Sequence, residues 1–182
     1  LDEAFSALDA YLKAHLIKET IESLKKFQGI TLFVTHNMDE AYRLCNRIVF
    51  LNNGRVETVG SKEEVFQQPK TLETAKITGC KNMASAVRQS EHIAQIPNWG
   101  IQVATAMRIE NREGFLGIRA NHIKLAAENV QENCYPVWIA DESDATFSTT
   151  LYLKIGSIPK RPDDFHIQWE IRKNQRAELS NL

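Results

Sequence analysis

The stretch Leu1-Asp2-Glu3-Ala4-Phe5-Ser6-Ala7-Leu8-Asp9 opens the chain and decides how its first half is interpreted. Two adjacent carboxylates at the end of a strand can divide the work of phosphoryl transfer, because one can hold Mg²⁺ while the other orients an attacking water. Asp2 and Glu3 have this arrangement. An Asp-Glu pair taken alone is also typical of a solvated helix start, so the segments that follow must decide between the two interpretations.

A helix and a strand follow this opening. Residues 11–27 carry leucines and isoleucines at helical spacing between charged residues, which predicts an amphipathic helix. Residues 30–35 form an apolar and β-branched run, which predicts a strand covered on both faces, as in a parallel sheet. His36 stands at the end of this strand, where open α/β sheets bind ligands, although a single histidine is more often structural. Asn37, with Glu40 three residues later, predicts the start of a short helix.

The remainder of the first half predicts a hairpin and two helices. Asn52-Asn53-Gly54 between two apolar runs is typical of a tight hairpin turn. Ser61-Lys62-Glu63-Glu64 has the form of a capping box, and Pro69 ends the helix that it opens. Residues 71–78 predict one more short helix. The alternation of helix and strand over residues 1–78 therefore indicates an α/β domain.

Residues 79–182 show a different pattern, in which short apolar runs alternate with turn-rich segments and all three tryptophans occur. Several short strands at this spacing predict an all-β barrel of the OB type. The predicted strands cover residues 84–88, 92–96, 101–106, 115–119, 135–140, 146–155 and 165–171.

Composition excludes several classes of protein. The 182 residues are 43% hydrophobic and 25% charged, as in ordinary globular proteins, and the net charge of −1 gives no reason to expect nucleic acid as a partner. The three cysteines form no CxxC pair, so we expect reduced thiols and no structural zinc. Because the chain begins at Leu1 and not at a methionine, we expect it to be an interior piece of a longer protein.

Taken in order, the motifs of residues 1–78 resemble the C-terminal half of the nucleotide-binding domain of ATP-binding cassette (ABC) transporters, a RecA-like P-loop ATPase fold. The resemblance assigns Asp2 to the Walker B aspartate, which binds Mg²⁺, and Glu3 to the catalytic glutamate, which polarises the attacking water. It assigns His36 to the switch histidine, which contacts the γ-phosphate. The segment Thr35-His36-Asn37-Met38-Asp39-Glu40-Ala41 looks like the importer form of this switch.

The same resemblance implies partners and cofactors. Ser6-Ala7-Leu8-Asp9 matches the D-loop, so Ser6 and Asp9 are expected to reach across a dimer of ATPase subunits, either a homodimer or a pair of related subunits. The family uses ATP and Mg²⁺, works with membrane permease subunits and lies on the cytoplasmic face of the cell membrane as a peripheral protein. Three family motifs do not occur in the sequence: the phosphate loop G-x-x-x-x-G-K-[ST], the glutamine loop and the LSGGQ-type signature. We therefore expect this chain alone to be inactive, because the backbone nest and the lysine that hold the phosphates are missing.

Residues 79–182 resemble the TOBE-type accessory domain that follows the ATPase domain in some importers. The segments Thr78–Asn82, Trp99-Gly100, Gly117–Ala120 and Ile167–Glu170 look most like transporters of molybdate or tungstate. In such domains the barrel can bind the transported oxyanion. The side chains that could donate to an oxyanion are Lys81, Asn82, Ser85, Arg88 and Arg119.

Two alternatives stay open for the second half and for the chain. The five donors are equally typical of the solvated surface of a barrel. A chain without the phosphate loop could also serve as a stand-alone oxyanion-sensing or dimerisation module with no ATPase activity.

Overall fold

A computed structural model of the chain describes residues 1–126 and 129–179, and it divides into two units, residues 1–78 and 79–182. Within the described residues, no helix is long and apolar enough to cross a membrane.

The helices of the first unit begin directly after residues whose side chains cap them. The helix predicted over residues 11–27 is confirmed as α1. Its N-cap is Asp9, whose carboxylate accepts hydrogen bonds from the backbone N–H groups of Tyr11 and Leu12, both at 3.0 Å. The capping box that opens with Ser61 is also confirmed, since both of its reciprocal hydrogen bonds form. The helices described in this unit are α1 (Ala10–Lys26), α2 (Met38–Leu44), α3 (Lys62–Gln67) and α4 (Leu72–Ile77).

The predicted hairpin of the first unit is confirmed. Strands β1 (Arg47–Asn52) and β2 (Arg55–Ser61) pair antiparallel. Asn53 and Gly54 form the two-residue turn with φ angles of 49° and 73°, the left-handed values that a type I′ turn requires and that Asn and Gly adopt most readily.

The predicted strand over residues 30–35 is wrong as an element. Only a single parallel bridge forms, between Asp2 and Val34, and Ile30 and Leu32 are 100% and 76% exposed. Residues 1–3 are the segment that forms backbone hydrogen bonds with this run. A strand that has the sequence of a buried sheet centre needs partners on both edges.

The strands of the second unit form two antiparallel sheets. The first has the order β5-β4-β3-β6 and the second has the order β7-β8-β9. Each of the seven strands predicted from the sequence has a counterpart, with ends that differ by a few residues. Their bounds are β3 (Asn82–Arg88), β4 (Ile93–Ile96), β5 (Ile101–Ala104), β6 (Glu113–Ile118), β7 (Val137–Asp144), β8 (Ser148–Ile155) and β9 (Ile167–Arg172).

The OB-like barrel is not confirmed, because neither sheet closes on itself within the described residues. The two sheets instead share one apolar core, in which Ala84, Ile96 and Val103 of the first sheet pack with Leu151 and Ile171 of the second. Burial of one face of each sheet satisfies the hydrophobic pattern without closure, since the pattern records which face is buried and not which edges pair. A short helix that the sequence analysis did not predict, α5 (Lys173–Leu179), follows β9.

Candidate active site

Glu3 and His36 meet in the first unit although 33 residues separate them. The Nδ1 atom of His36 lies 2.9 Å from Oε1 of Glu3. The side chains are 75% and 50% exposed, and exposed ion pairs contribute only about 0–1 kcal/mol to stability. The contact therefore places two reactive groups together where a ligand can reach them, while it adds little to the stability of the fold.

The backbone around Glu3 explains how this pair is held. The N–H of Glu3 donates to the carbonyl of Val34 at 2.8 Å, and the N–H of Val34 donates to the carbonyl of Leu1 at 2.8 Å. Glu3 has a φ of 42°, in the left-handed region that costs a residue with a side chain roughly 1–2 kcal/mol. The N–H and the hydroxyl of Ser6 both donate to the Glu3 carbonyl, at 3.1 and 2.9 Å. These hydrogen bonds fix a backbone conformation that Glu3 does not favour by itself.

The remaining residues assigned to this site lie on the same turn. Asp2 is exposed and adjoins the pair in sequence. Asp9 uses its carboxylate to cap α1, and Ser6 faces the backbone of Glu3. The described residues hold no group of three or more His, Cys, Asp or Glu side chains that could hold a metal ion by themselves. Asp2 could supply one carboxylate ligand to a metal ion. A single carboxylate fits Mg²⁺, because that ion is usually held by one or two carboxylates together with phosphates and waters.

Glu40, which the sequence predicts only as part of a helix start, supplies a buried carboxylate beside the Glu3–His36 pair. Glu40 is 2% exposed. Its carboxylate accepts a hydrogen bond from the hydroxyl of Thr35 at 2.7 Å and forms an ion pair with Nζ of Lys13 at 2.9 Å. Burial alone would raise the pKa of Glu40, but the hydrogen bonds from Thr35 and Lys13 outweigh it and lower the pKa. The spacing of Lys13 and Glu40 in the sequence gives no sign of this pair.

An apolar cavity of about 910 Å³ adjoins the site within the first unit. It is lined by the extended segment 31–35, by β1 and by one face of α2, and His36 is among its lining residues. Asp2 and Glu3 do not line it. The polar groups of the candidate site therefore lie beside an apolar groove and not inside it.

The predicted oxyanion donors of the second unit do not converge. Asn82 is buried, and its side-chain amide is engaged with the backbone of Gln168 at 2.8 and 2.6 Å. Arg88 donates to the carbonyls of Ser90 and Glu110, both at 3.3 Å, and so holds a loop. Ser85 is exposed. Its place in the strand puts it on the opposite face from Asn82.

Two of these donors, Lys81 and Arg119, lie near each other. Asn82 pairs with Ile118 in the antiparallel register of β3 and β6, so Lys81 and Arg119 are the next opposed residues. Nζ of Lys81 lies 3.6 Å from a carboxylate oxygen of Glu170. Lys81 at this end of the sheet therefore has a carboxylate beside it.

Comparison with known proteins places these observations in a family context. The sulfate/thiosulfate import ATP-binding protein of Halalkalibacterium halodurans is 31% identical over 180 residues, which cover 98% of this chain and 48% of that protein. The spermidine/putrescine import ATP-binding protein of Nitratidesulfovibrio vulgaris is 40% identical over 93 residues, or 50% of this chain and 25% of that protein. An Fe(3+) ions import ATP-binding protein of Rhizobium meliloti is 42% identical over 86 residues, or 47% of this chain and 22% of that protein. No protein-family model matches the chain.

All three relatives are named as import ATP-binding proteins. The homologues of the chain are ATP-binding subunits of ABC importers. The chain spans about half the length, or less, of each of the relatives named here.

Proposed function

We propose that this chain is the C-terminal part of the ATP-hydrolysing subunit of an ABC importer that carries a tetrahedral oxyanion. The observation that supports the ATPase assignment most directly is the 2.9 Å contact between Glu3 and His36. Two residues 33 positions apart that the family resemblance assigns to one reaction lie within hydrogen-bond distance. The importer homologues support the same assignment.

In the proposed mechanism, Glu3 orients the attacking water and accepts its proton, as a general base does. In the imidazolium form of His36 both ring nitrogens donate, so Nδ1–H can donate to the Glu3 carboxylate while Nε2–H donates to the γ-phosphate of ATP. A single contact thus aligns the base and the phosphate-sensing group. Asp2 would supply a carboxylate ligand to Mg²⁺, and the ion would supply positive charge to offset the negative charge on the phosphates.

The proposed partners follow from the same assignment. Ser6 and Asp9 would approach the second ATPase subunit of a dimer, and permease subunits would anchor the complex to the cytoplasmic face of the membrane.

The proposed cargo rests on the second half of the chain. A sulfate/thiosulfate protein aligns over 98% of the chain and a second one over 99%, whereas the polyamine and iron proteins named above align over about half and a further polyamine import protein aligns over 75%. This supports an oxyanion, with the molybdate and tungstate interpretation resting on the segments Thr78–Asn82 and Gly117–Ala120. The TOBE-type domain would then bind the oxyanion near Lys81.

The test of the proposed ATPase uses the full-length protein that contains this sequence. Glu3→Gln should abolish steady-state phosphate release and retain ATP binding, because the amide keeps the shape but cannot accept the proton of the water. His36→Ala should also reduce turnover strongly. Near-normal rates in both variants would overturn the assignment of the site.

The alternative of a stand-alone module is not favoured by the homologues, which are ATP-binding proteins. The 182-residue chain by itself should release no more phosphate from Mg-ATP than its Glu3→Gln variant. Turnover clearly above that variant would contradict the expected need for a phosphate loop.

A further inference from the structure

Glu40 performs no task in the proposed mechanism, although its carboxylate is almost fully buried at 2% exposure. A buried charge is costly unless it is paired and hydrogen-bonded. Here each carboxylate oxygen contacts a different element: Oε2 accepts the hydroxyl of Thr35 at 2.7 Å, and Oε1 pairs with Nζ of Lys13 at 2.9 Å. Glu40 therefore joins α1, α2 and the end of the extended segment.

The contact with Thr35 acts directly on the residues that flank His36. The Thr35 hydroxyl donates to Glu40 and also accepts the backbone N–H of Asn37 at 3.0 Å. In a reciprocal capping box the Glu40 side chain would accept the N–H of Asn37 itself. Here the Thr35 hydroxyl accepts the Asn37 N–H in place of the Glu40 carboxylate. The Thr35 side chain therefore connects the residue before His36 with the residue after it.

The contact with Lys13 connects Glu40 to the segment of residues 6–9. Lys13 lies in the first turn of α1, where its N–H donates to the carbonyl of Asp9 at 2.9 Å. The carboxylate of Asp9 caps the same turn. A displacement of residues 6–9 would therefore move Lys13, and with it the carboxylate that holds Thr35.

We propose that Lys13, Glu40 and Thr35 form a positioning network that holds His36 against Glu3 and couples it to the Ser6–Asp9 segment. The inference rests on the proposed function, because only there does His36 contact the substrate. The three residues are positioning residues, since none of them touches the reacting atoms.

The direct test is NMR spectroscopy of the 182-residue chain. The imidazole signals of His36 and the amide signal of Asn37 are compared in the wild type, in Lys13→Met and in Lys13→Arg. We expect both signals to shift in Lys13→Met and to return toward the wild-type positions in Lys13→Arg. The matched control is Lys18→Met, which removes the same charge from an exposed position of α1 and should leave both signals in place. A folded Lys13→Met variant with unchanged signals overturns the proposal.

A second variant pair keeps the test decisive if Lys13→Met does not fold. Thr35→Val removes the hydroxyl and keeps the side-chain shape, whereas Thr35→Ser keeps the hydroxyl. We expect the His36 and Asn37 signals to shift in Thr35→Val only. Equal spectra for the two variants would overturn the proposal.

The kinetic test uses the full-length protein. Lys13→Met should lower kcat about tenfold or more with KM within about twofold, as expected for a misplaced catalytic group, and Lys13→Arg should restore most of the rate. An unchanged kcat together with shifted NMR signals would make the network structural only and overturn the positioning role. Absence of any Glu3-dependent turnover would instead refute the proposed function, while the NMR comparison would still decide whether the network holds His36.

Discussion

Asn82 and Gln168 exchange two hydrogen bonds between different sheets of the second unit. The Asn82 amide donates to the carbonyl of Gln168 at 2.8 Å, and the N–H of Gln168 donates to the amide oxygen of Asn82 at 2.6 Å. Asn82 belongs to β3 and Gln168 to β9, which lie in separate sheets. One buried side chain thus satisfies two backbone groups and joins the sheets, which leaves it no role as an oxyanion donor.

The first prediction follows from this pair. Asn82→Leu should lower the free energy of unfolding by about 1–4 kcal/mol, because it leaves two partly buried backbone groups of Gln168 without their present partner, at up to roughly 1–3 kcal/mol each. Urea unfolding followed by the combined fluorescence of the three tryptophans measures the change. Ser85→Ala, on the exposed face of the same strand, should stay within about 0.5 kcal/mol of the wild type. A similarly small effect of Asn82→Leu would contradict the role given to this contact.

The cysteines give a second prediction, on chemical reactivity. Cys80 is buried, and this burial raises the pKa of its thiol; Cys134 is exposed. Because the thiolate is the reactive form and must also be reachable, iodoacetamide should modify Cys134 at least about tenfold faster than Cys80. Peptide mapping by mass spectrometry at short reaction times measures the ratio. Equal rates in the native chain would show that Cys80 is not protected, and the ratio should approach one in urea.

The sequence predicts those parts of the fold that depend on neighbouring residues. The caps at Asn37 and Ser61 and the turn at Asn53 act within a few residues, and each forms as predicted. The run of residues 30–35 fails as a strand because an apolar run records a preference for burial and not which segments pair with it. The predicted barrel fails for a similar reason, since closure depends on which distant edges pair and not on the pattern within each strand.

The candidate site likewise combines residues that sequence motifs predict with contacts that no local pattern predicts. Family motifs single out Glu3 and His36, and the structure brings them within 2.9 Å. The pairing of Lys13 with Glu40 leaves no trace in either local pattern. The contact of Asn82 with Gln168, 86 positions later in the chain, also leaves no trace in the local pattern. The sequence alone therefore predicts Asn82 as an oxyanion donor.

A third prediction concerns the dependence of stability on pH. Nδ1 of His166 accepts the backbone N–H of Ile155 at 3.2 Å, and burial, followed by the nearby Lys154 charge, lowers the pKa of His166. Because the unfolded chain then binds a proton more readily than the folded one, the free energy of unfolding should decrease as pH falls through the ordinary histidine pKa of about 6.5. Urea unfolding between about pH 8 and pH 5 measures this slope.

The matched variants for this slope are His166→Asn and His122→Asn. Asparagine at position 166 keeps an acceptor for Ile155 but cannot titrate, so its stability should change less over this pH range. His122 is exposed in a short 3-10 turn, and its replacement should leave the wild-type slope in place. An unchanged slope in His166→Asn would show that other groups cause it.

The last prediction tests oxyanion binding by the second half of the chain. Lys81 is 3.6 Å from Glu170, so an anion that binds Lys81 must compete with this carboxylate. Glu170→Gln should therefore tighten the binding of molybdate, tungstate or sulfate about two- to fivefold, which corresponds to the loss of an exposed ion pair. Lys81→Ala should weaken or abolish it, because a doubly charged oxyanion leaves water only where several donors converge. Calorimetric titration of the 182-residue chain measures both changes, with Lys160→Ala as the control for the loss of one positive charge. Equal binding by all three variants would place the anion elsewhere. Absence of heat up to about millimolar oxyanion, which corresponds to a binding free energy of roughly 4 kcal/mol, would show that this end of the sheet binds none of the three anions.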